Sequence, residues 1–389
     1  MTIHDILFSL LRLSLGTRAD EMDFSALTNA DWKKVIDLSF DQGVAAIAVD
    51  GLGLMVDGGG FAHDNDGSTS LTTSSDNDNQ ESLELALDSP ELEDLKYEWF
   101  GACFENEQSY GEHLKVIEKL ALLYNEQSVR MLLLKGYGLS LNYPVPEHRT
   151  SSDIDIYLYG KGGLGDALVR ERFGCEVKQN EDKHSVFSVD GTSVENHACF
   201  VNDTVHPSLN GLNDFLVSEA EKGLTHTVGG SQIVIPSAMF NALFIPFHCA
   251  GHFVHGEASV RQLCDWACFV LRHGAEVDWD KVRELAQKYG FWKFFCCLNG
   301  IVREHLGVPA ELLPDWPRDK KLEARVLEEI LAPRKVVKSL AGKVWRYFSS
   351  RWKYKMVYND NMLMSSFRLA KSYLRLKDDT AESIWEKEF

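Results

Sequence analysis

Residues 153–158 read Asp-Ile-Asp-Ile-Tyr-Leu, and this alternation constrains the fold more than any other stretch of the chain. In a strand, Ile154, Ile156 and Leu158 point to one side, and Asp153, Asp155 and Tyr157 to the other. The apolar side demands a core. Two carboxylates projecting side by side repel unless a cation or a proton lies between them. The segment therefore reads as a half-buried strand with its acids at the leading end. Upstream, the apolar run Val129–Leu134 stops at Lys135-Gly136, which suits a buried strand. Downstream, Leu164 to Phe173 reads as a helix. Ser185–Val189 and Ser193–Val201 read as two strands joined by the turn Asp190-Gly191, and Ile233–Pro236 closes the mixed stretch.

The flanks carry helical periodicity instead. Ile3, Ile6, Leu7, Leu10 and Leu11 recur at helical spacing, and Asp31 is placed to cap a second helix. Ser89 to Gln127 continues as one long helix, with Gly111 as its weak point. Between them, Asp57 to Gln80 holds three consecutive glycines and little that is apolar, so it reads as a flexible acidic loop. From Ser237, a capping residue, four helices follow up to Leu306. Pro309, Pro314 and Pro317 mark a break before basic, aromatic-rich helices over about Lys320–Leu376. The expected fold class is α+β, a small mixed sheet between helical regions. Its expected units are an N-terminal helical region (1–127, with the loop at 57–80), an α/β core (128–236), a helical domain (237–310) and a basic C-terminal extension (311–389).

At 389 residues and 44% hydrophobic content, the chain can bury a sizeable core. It has no apolar run of about 18 residues, so no membrane-spanning helix is expected. The start lacks the basic residues of a secretory signal, and the eight cysteines show no framework spacing. Reduced thiols and a cytoplasmic protein are the expectation. The net charge of -18 argues against non-specific nucleic-acid binding by the whole chain. Arg318–Lys377, with sixteen basic against five acidic residues, leaves a phosphate-rich partner open beside the plainer reading of a solvated basic face. The aromatic and basic run from Trp345 to Lys355 likewise fits nucleic acid, a membrane surface, a partner protein or, foremost, ordinary packing.

Asp153 and Asp155 form a pair of hard oxygen ligands of the kind Mg²⁺ takes together with substrate phosphates. Glu195, on a second strand, can complete a three-carboxylate cluster, and His197 shares its face. His197 suits phosphate binding, orientation of Glu195 or proton transfer; its structural alternative is a hydrogen-bonded, semi-buried histidine. A glycine after a strand lets backbone N–H groups approach an anion, so Lys135-Gly136 reads as a phosphate turn, with Arg149 in reach of a triphosphate. Taken singly these are a turn glycine, a solvated lysine and a surface arginine. His248, His252 and His255 share a helical face; lining a cleft or simple packing fits them better than zinc, and Arg261 and Asp265 are expected near them. The glycine-rich stretch 160–165 lacks full phosphate-loop spacing and reads as a flexible connection. Cys264, Cys268, Cys296 and Cys297 read as buried small apolar residues.

In order, Leu134-Lys135-Gly136, Tyr143-Pro144, Arg149, Asp153-Ile154-Asp155 and Val194-Glu195-Asn196-His197 resemble the uncharacterised nucleotidyltransferase family of the DNA polymerase β superfamily. The likeness runs over about residues 90–310 and takes in His248, His252, Arg261, Asp265, Asp278-Trp279 and Tyr289-Gly290. It implies a Mg²⁺-dependent enzyme, with two ions expected, that moves a nucleoside monophosphate from an NTP to an unknown small or macromolecular hydroxyl acceptor. Carried over residue by residue, Asp153, Asp155 and Glu195 are the metal-binding catalytic carboxylates. Lys135, Gly136, Arg149, His197 and His248 are the nucleotide-binding set. The turn departs from the superfamily's usual Gly-Ser or Gly-Gly, which keeps a second class in view: a catalytically inactive nucleotide-binding or partner-docking protein.

Overall fold

The computed structural model describes residues 2–17, 27–56, 59–63, 69–73, 90–180, 184–332, 345 and 348–375. The fold is α+β, a mixed seven-stranded sheet flanked by helical regions. Helices α1 (Ile3–Ser14), α2 (Asn29–Asp41) and α3 (Ala45–Val56) pack together at the N-terminal end. Gly51 lets α3 lie directly on α1, since a Cβ there would stand 1.9 Å from the Leu10 carbonyl oxygen. Helix α2 starts earlier than expected. Thr28 is its cap, and Asp31, rather than capping, is the third helical residue: its carboxylate accepts from the Thr28 N–H at 3.2 Å in a capping box.

Part of the stretch expected as a loop at 57–80 is a hairpin, β1 (Gly59–His63) against β2 (Thr69–Thr73); the rest of that stretch lies outside the described residues. Thr69-Ser70-Leu71-Thr72-Thr73 is rich in β-branched residues, a strand preference that outweighs the polarity of the surroundings.

Helix α4 (Pro90–Glu126) runs 37 residues without a break at Gly111 and joins the two halves of the molecule. Near its start, Trp99 donates to the Ala45 carbonyl at 3.1 Å. Toward its end, Val116, Ile117, Leu120 and Tyr124 pack on Ile154, Ile156, Val194 and Ile233 of the sheet. That sheet comprises β3 (Leu132–Leu133), β4 (Asp153–Tyr157), β5 (Lys178–Asn180), β6 (His184–Val189), β7 (Thr192–His197), β8 (Leu224–Val228) and β9 (Ser231–Ile235), in spatial order 5-6-7-4-3-9-8. Strands β4/β7 and β3/β9 pair in parallel and the rest antiparallel. Strands β5 and β8 have no counterpart in the sequence reading. Both are short edge strands, exposed or polar along much of their length, with little apolar pattern to mark them.

Helix α5 (Lys135–Ser140) follows β3, α6 (Gly162–Phe173) follows β4, and α7 (Leu212–Ala220) precedes the β8/β9 hairpin. The glycine-rich entry to α6 is a fixed turn. Lys161 N–H bonds the Leu158 carbonyl at 3.0 Å, and a Cβ on Gly165 would meet the Leu158 side chain and force it to shift. The C-terminal half adds α8 (Ala238–His255), α9 (Val260–His273), α10 (Trp279–Tyr289), α11 (Trp292–His305), α12 (Lys320–Leu331), α13 (Arg351–Val357) and α14 (Met362–Arg375). Ser237 caps α8 by accepting from Phe240 N–H at 3.1 Å, and Asp278 caps α10. No helix among the described residues is long and apolar enough to cross a membrane.

A charged bridge ties the N-terminal helices to the approach to β4. His148 in the turn Pro146–His148 lies 2.8 Å from Asp50 of α3 through Nδ1 and 3.1 Å from Glu107 of α4 through Nε2. Burial opposes protonation of His148, but the hydrogen bond and charge of Asp50, helped by Glu107, hold its pKa above the ordinary value of about 6.5. Asp50 is itself pushed up by burial, against the pull of His148. Because the folded value of His148 is raised, its contribution to stability is complete below about pH 6.5 and fades as pH rises through the folded value. His148→Gln should accordingly destabilise the protein more at pH 6 than at pH 9, as urea unfolding at the two pH values would show.

Candidate active site

The parallel register of β4 and β7 builds the site. Asp155 pairs with Glu195 and Asp153 with Ser193, so Asp153, Asp155 and Glu195 lie on one face, and His197 follows Glu195 on it. The alternate residues serve the opposite face: Ile154 and Val194 enter the core under α4, and Asn196 donates to Asp166 of α6 at 2.8 Å. Turning either strand over would bury the acids under α4. The apolar alternation forbids this.

Asp155 is the hub. Its side chain is 1% exposed, and one oxygen, Oδ1, takes both Lys135 Nζ and His197 Nε2 at 2.7 Å. Burial opposes its ionisation. The Lys135 charge and the His197 hydrogen bond outweigh burial and hold the carboxyl well below the usual carboxylate range. Asp153, half-buried, moves the other way: burial raises it first, and the Asp155 charge adds to that. Glu195 lies 3.6 Å from His197 and 3.6 Å from His184, and its pKa is lowered, mainly by the His197 hydrogen bond. One donor atom each from Asp155, Glu195 and His197 fall within 4.8 Å of one another, the one such group of three found among the described residues.

The turn after β3 supplies the cation. Lys135 and Gly136 both have positive φ, +21° and +35°. The Gly136 conformation is disfavoured for L-residues, and a Cβ there would meet Ser151 Oγ at 3.2 Å and the Asp153 carbonyl at 3.4 Å. Gly136→Ala should cost about 1–2 kcal/mol of stability in a denaturant titration, and it should push directly on the start of β4.

Helix α8 brings a second row. Phe240, Phe244, His248 and His252 recur every fourth residue, with successive ring centroids 5.1, 5.8 and 4.5 Å apart. The phenylalanines anchor the row, Phe240 packing edge-on to Phe200, and the histidines continue it. His248 Nε2 ends 3.3 Å from Lys135 Nζ and 3.3 Å from His252 Nε2.

Six of the eight expected site residues thus gather at one place: Lys135, Asp153, Asp155, Glu195, His197 and His248, with Gly136 forming the turn beside them. Arg149 does not extend its fork to the carboxylates. It is buried and held bidentately by Asp265 of α9, Nε to Oδ1 at 2.6 Å and an Nη to Oδ2 at 2.9 Å, with Tyr143 donating to the same carboxylate at 2.7 Å. The physical reason is charge pairing: a guanidinium without solvent takes the carboxylate that matches its fork. Arg261 is bound to the same network, its guanidinium 4.0 Å from Asp265.

Sequence reasoning missed His184, the second histidine beside Glu195. Its signal lay in the hairpin register. Counting back from the Asp190-Gly191 turn places His184 opposite His197.

The donor set fits a hard divalent cation. Carboxylate oxygens are what Mg²⁺ prefers, and Asp155 and Glu195 present them together with Asp153 one strand step away. His197, whose Nε2 is engaged with Asp155, suits the role of positioning that carboxylate.

No curated protein matches this chain. Two solved structures are similar to parts of it. One is ANT(2")-Ia in complex with adenylyl-2"-tobramycin, at 16% identity and a TM-score of 0.32, covering 45% of this chain and 94% of that one. The other is an antigenic nucleotidyltransferase-like protein from Paracoccidioides brasiliensis, at 13% identity and a TM-score of 0.34, covering 50% of this chain and 92% of that one. The sequence matches the uncharacterised nucleotidyltransferase family over residues 28–307, and the chain belongs to that family.

Proposed function

We propose that the protein is a Mg²⁺-dependent nucleotidyltransferase that moves a nucleoside monophosphate from an NTP to a hydroxyl acceptor. The observation that carries this is the β4/β7 register, which sets Asp153, Asp155 and Glu195 on one face beside the Lys135-Gly136 turn. In this reading the three carboxylates hold the metal, and its ions supply charge neutralisation of the phosphates and a more acidic acceptor hydroxyl when bound. Gly136 lets the backbone approach the phosphates, and Lys135 and His248 offer nitrogen donors to them. His197 holds Asp155 in its orientation. The acceptor oxygen bonds to the α-phosphorus, the bond from that phosphorus to the β-phosphate oxygen breaks, pyrophosphate leaves, and the hydroxyl proton passes to a carboxylate of the cluster. Arg149 enters as the buried brace of the chain leading into β4.

One observation favours the alternative, a nucleotide-binding or partner-docking protein without transfer activity: the Lys135 ammonium lies against the central carboxylate. Calorimetric titration with ATP, GTP, CTP and UTP, each with and without Mg²⁺, separates the two. Binding of at least one triphosphate that requires Mg²⁺ is the expected result. Binding of none would leave docking as the better reading.

A further inference from the structure

The contact between Lys135 and Asp155 is more than a turn residue finding a counter-ion. The ammonium is placed 2.7 Å from the Asp155 oxygen that also accepts from His197, in a position where Asp155 is 1% and Lys135 18% exposed. A pair so shielded is screened little by salt. A divalent cation coordinating this carboxylate and the Lys135 ammonium compete for the same negative charge. On its other side the ammonium meets His248 Nε2 at 3.3 Å, an imidazole nitrogen that cannot match a carboxylate as its partner. A phosphate oxygen can. Lys135 also belongs to the Gly136 turn, where two successive residues have positive φ, and a glycine there lets an anion approach the backbone closely.

We propose that Lys135 gates metal loading: its ammonium holds Asp155 until the phosphates of a nucleotide offer it another anionic partner, so that metal and nucleotide load together and the metal alone loads poorly. This rests on the metal-dependent reading above. The physical basis is linkage. A residue that must exchange one anion for another couples the two ligands that bring about the exchange, and the coupling is reciprocal.

The test is binding of Mn²⁺ alone, read as loss of the free-ion electron paramagnetic resonance signal, to the full chain and to Lys135→Gln and Lys135→Met. Glutamine keeps a hydrogen-bond donor for Asp155 without the charge, and methionine keeps the bulk; thermal unfolding verifies that each variant is folded. An opposite charge at this distance is worth about one to three log units to a carboxylate's preference for its charged form. Removing it should therefore tighten Mn²⁺ binding in the absence of nucleotide by about tenfold or more, and adding Asp155→Asn should abolish the gain. Binding of Mn²⁺ alone that is unchanged or weaker in folded Lys135 variants overturns the gate while leaving the metal site standing. Absence of Mn²⁺ binding in every protein, both for the ion alone and, by equilibrium dialysis against Mn²⁺ with ATP, for the two together, overturns the metal-dependent reading itself.

Discussion

Asp155→Asn should lower metal-dependent binding of a nucleoside triphosphate by at least about a hundredfold. Replacing residues that merely orient metal ligands commonly costs 10–100-fold, and Asp155 is placed at the centre of the cluster. Its carboxylate faces Lys135, His197 and, across the paired strands, Glu195. Asparagine is nearly isosteric, so the strand pairing survives, but the negative charge that attracts both the metal and Lys135 is gone. The same substitution has a signature in stability. The folded pKa of Asp155 is depressed, so its contribution is present above about pH 3.9 and is lost as pH falls through the folded value. The variant should therefore be less stable than the native protein near neutrality, and the difference should shrink in strong acid. Calorimetry with an NTP and Mg²⁺, paired with urea unfolding at pH 7 and pH 3, reads both effects. Unchanged nucleotide binding in the variant would exclude Asp155 from the metal site.

The largest purely structural effect should come from Asp265. Its carboxylate binds the Arg149 guanidinium through two hydrogen bonds and accepts a third from Tyr143, all out of solvent. Burial opposes ionisation of Asp265, yet Arg149 holds its pKa below the ordinary value. Asp265→Ala strands the guanidinium among buried groups, and removing one partner of such a pair costs about 3–5 kcal/mol. Replacing both partners with apolar residues, Arg149→Met with Asp265→Leu, should cost less than Asp265→Ala alone, because the buried Arg149 guanidinium is then removed together with its counter-charge and only the partly exposed Arg261 and the Tyr143 hydroxyl lose Asp265. Urea unfolding of the three proteins gives the comparison. A double variant less stable than the single one would contradict this account of the pair.

The centre of the fold was legible because its strands obey two rules that act locally. The Asp-Ile-Asp-Ile alternation sets which side of β4 is wet, and the Asp190-Gly191 turn sets which residues of β6 and β7 oppose each other. Glu195 could be matched to Asp155 because both lie on strands with a clear apolar face. The end of a helix was legible where a single residue caps it, as at Ser237. Thr28 and Asp31 form a box instead, and the acid is the more conspicuous of the two in the sequence.

What remained hidden depends on distance along the chain. Arg149 lies four residues before Asp153, and its sequence neighbourhood says triphosphate; its partner Asp265 arrives 116 residues later on α9. Lys135 and His248, 113 residues apart, meet only because the Phe240–Phe244 anchor presses α8 onto the acidic side of the sheet. No periodicity reports such a meeting. His184 escaped for a milder reason: it begins a strand, where pattern is weakest, although the hairpin count locates it.

The central claim, that these carboxylates form a working metal site for an NTP, is tested most directly by anomalous diffraction from crystals grown with Mn²⁺ and a non-hydrolysable ATP analogue. The account predicts an anomalous peak bonded to oxygens of Asp153, Asp155 and Glu195, with the analogue's phosphates beside Gly136 and the Lys135 ammonium moved from Asp155 onto a phosphate. An analogue bound elsewhere, or bound there with no Mn²⁺ on the carboxylates and the Lys135–Asp155 pair intact, would contradict it.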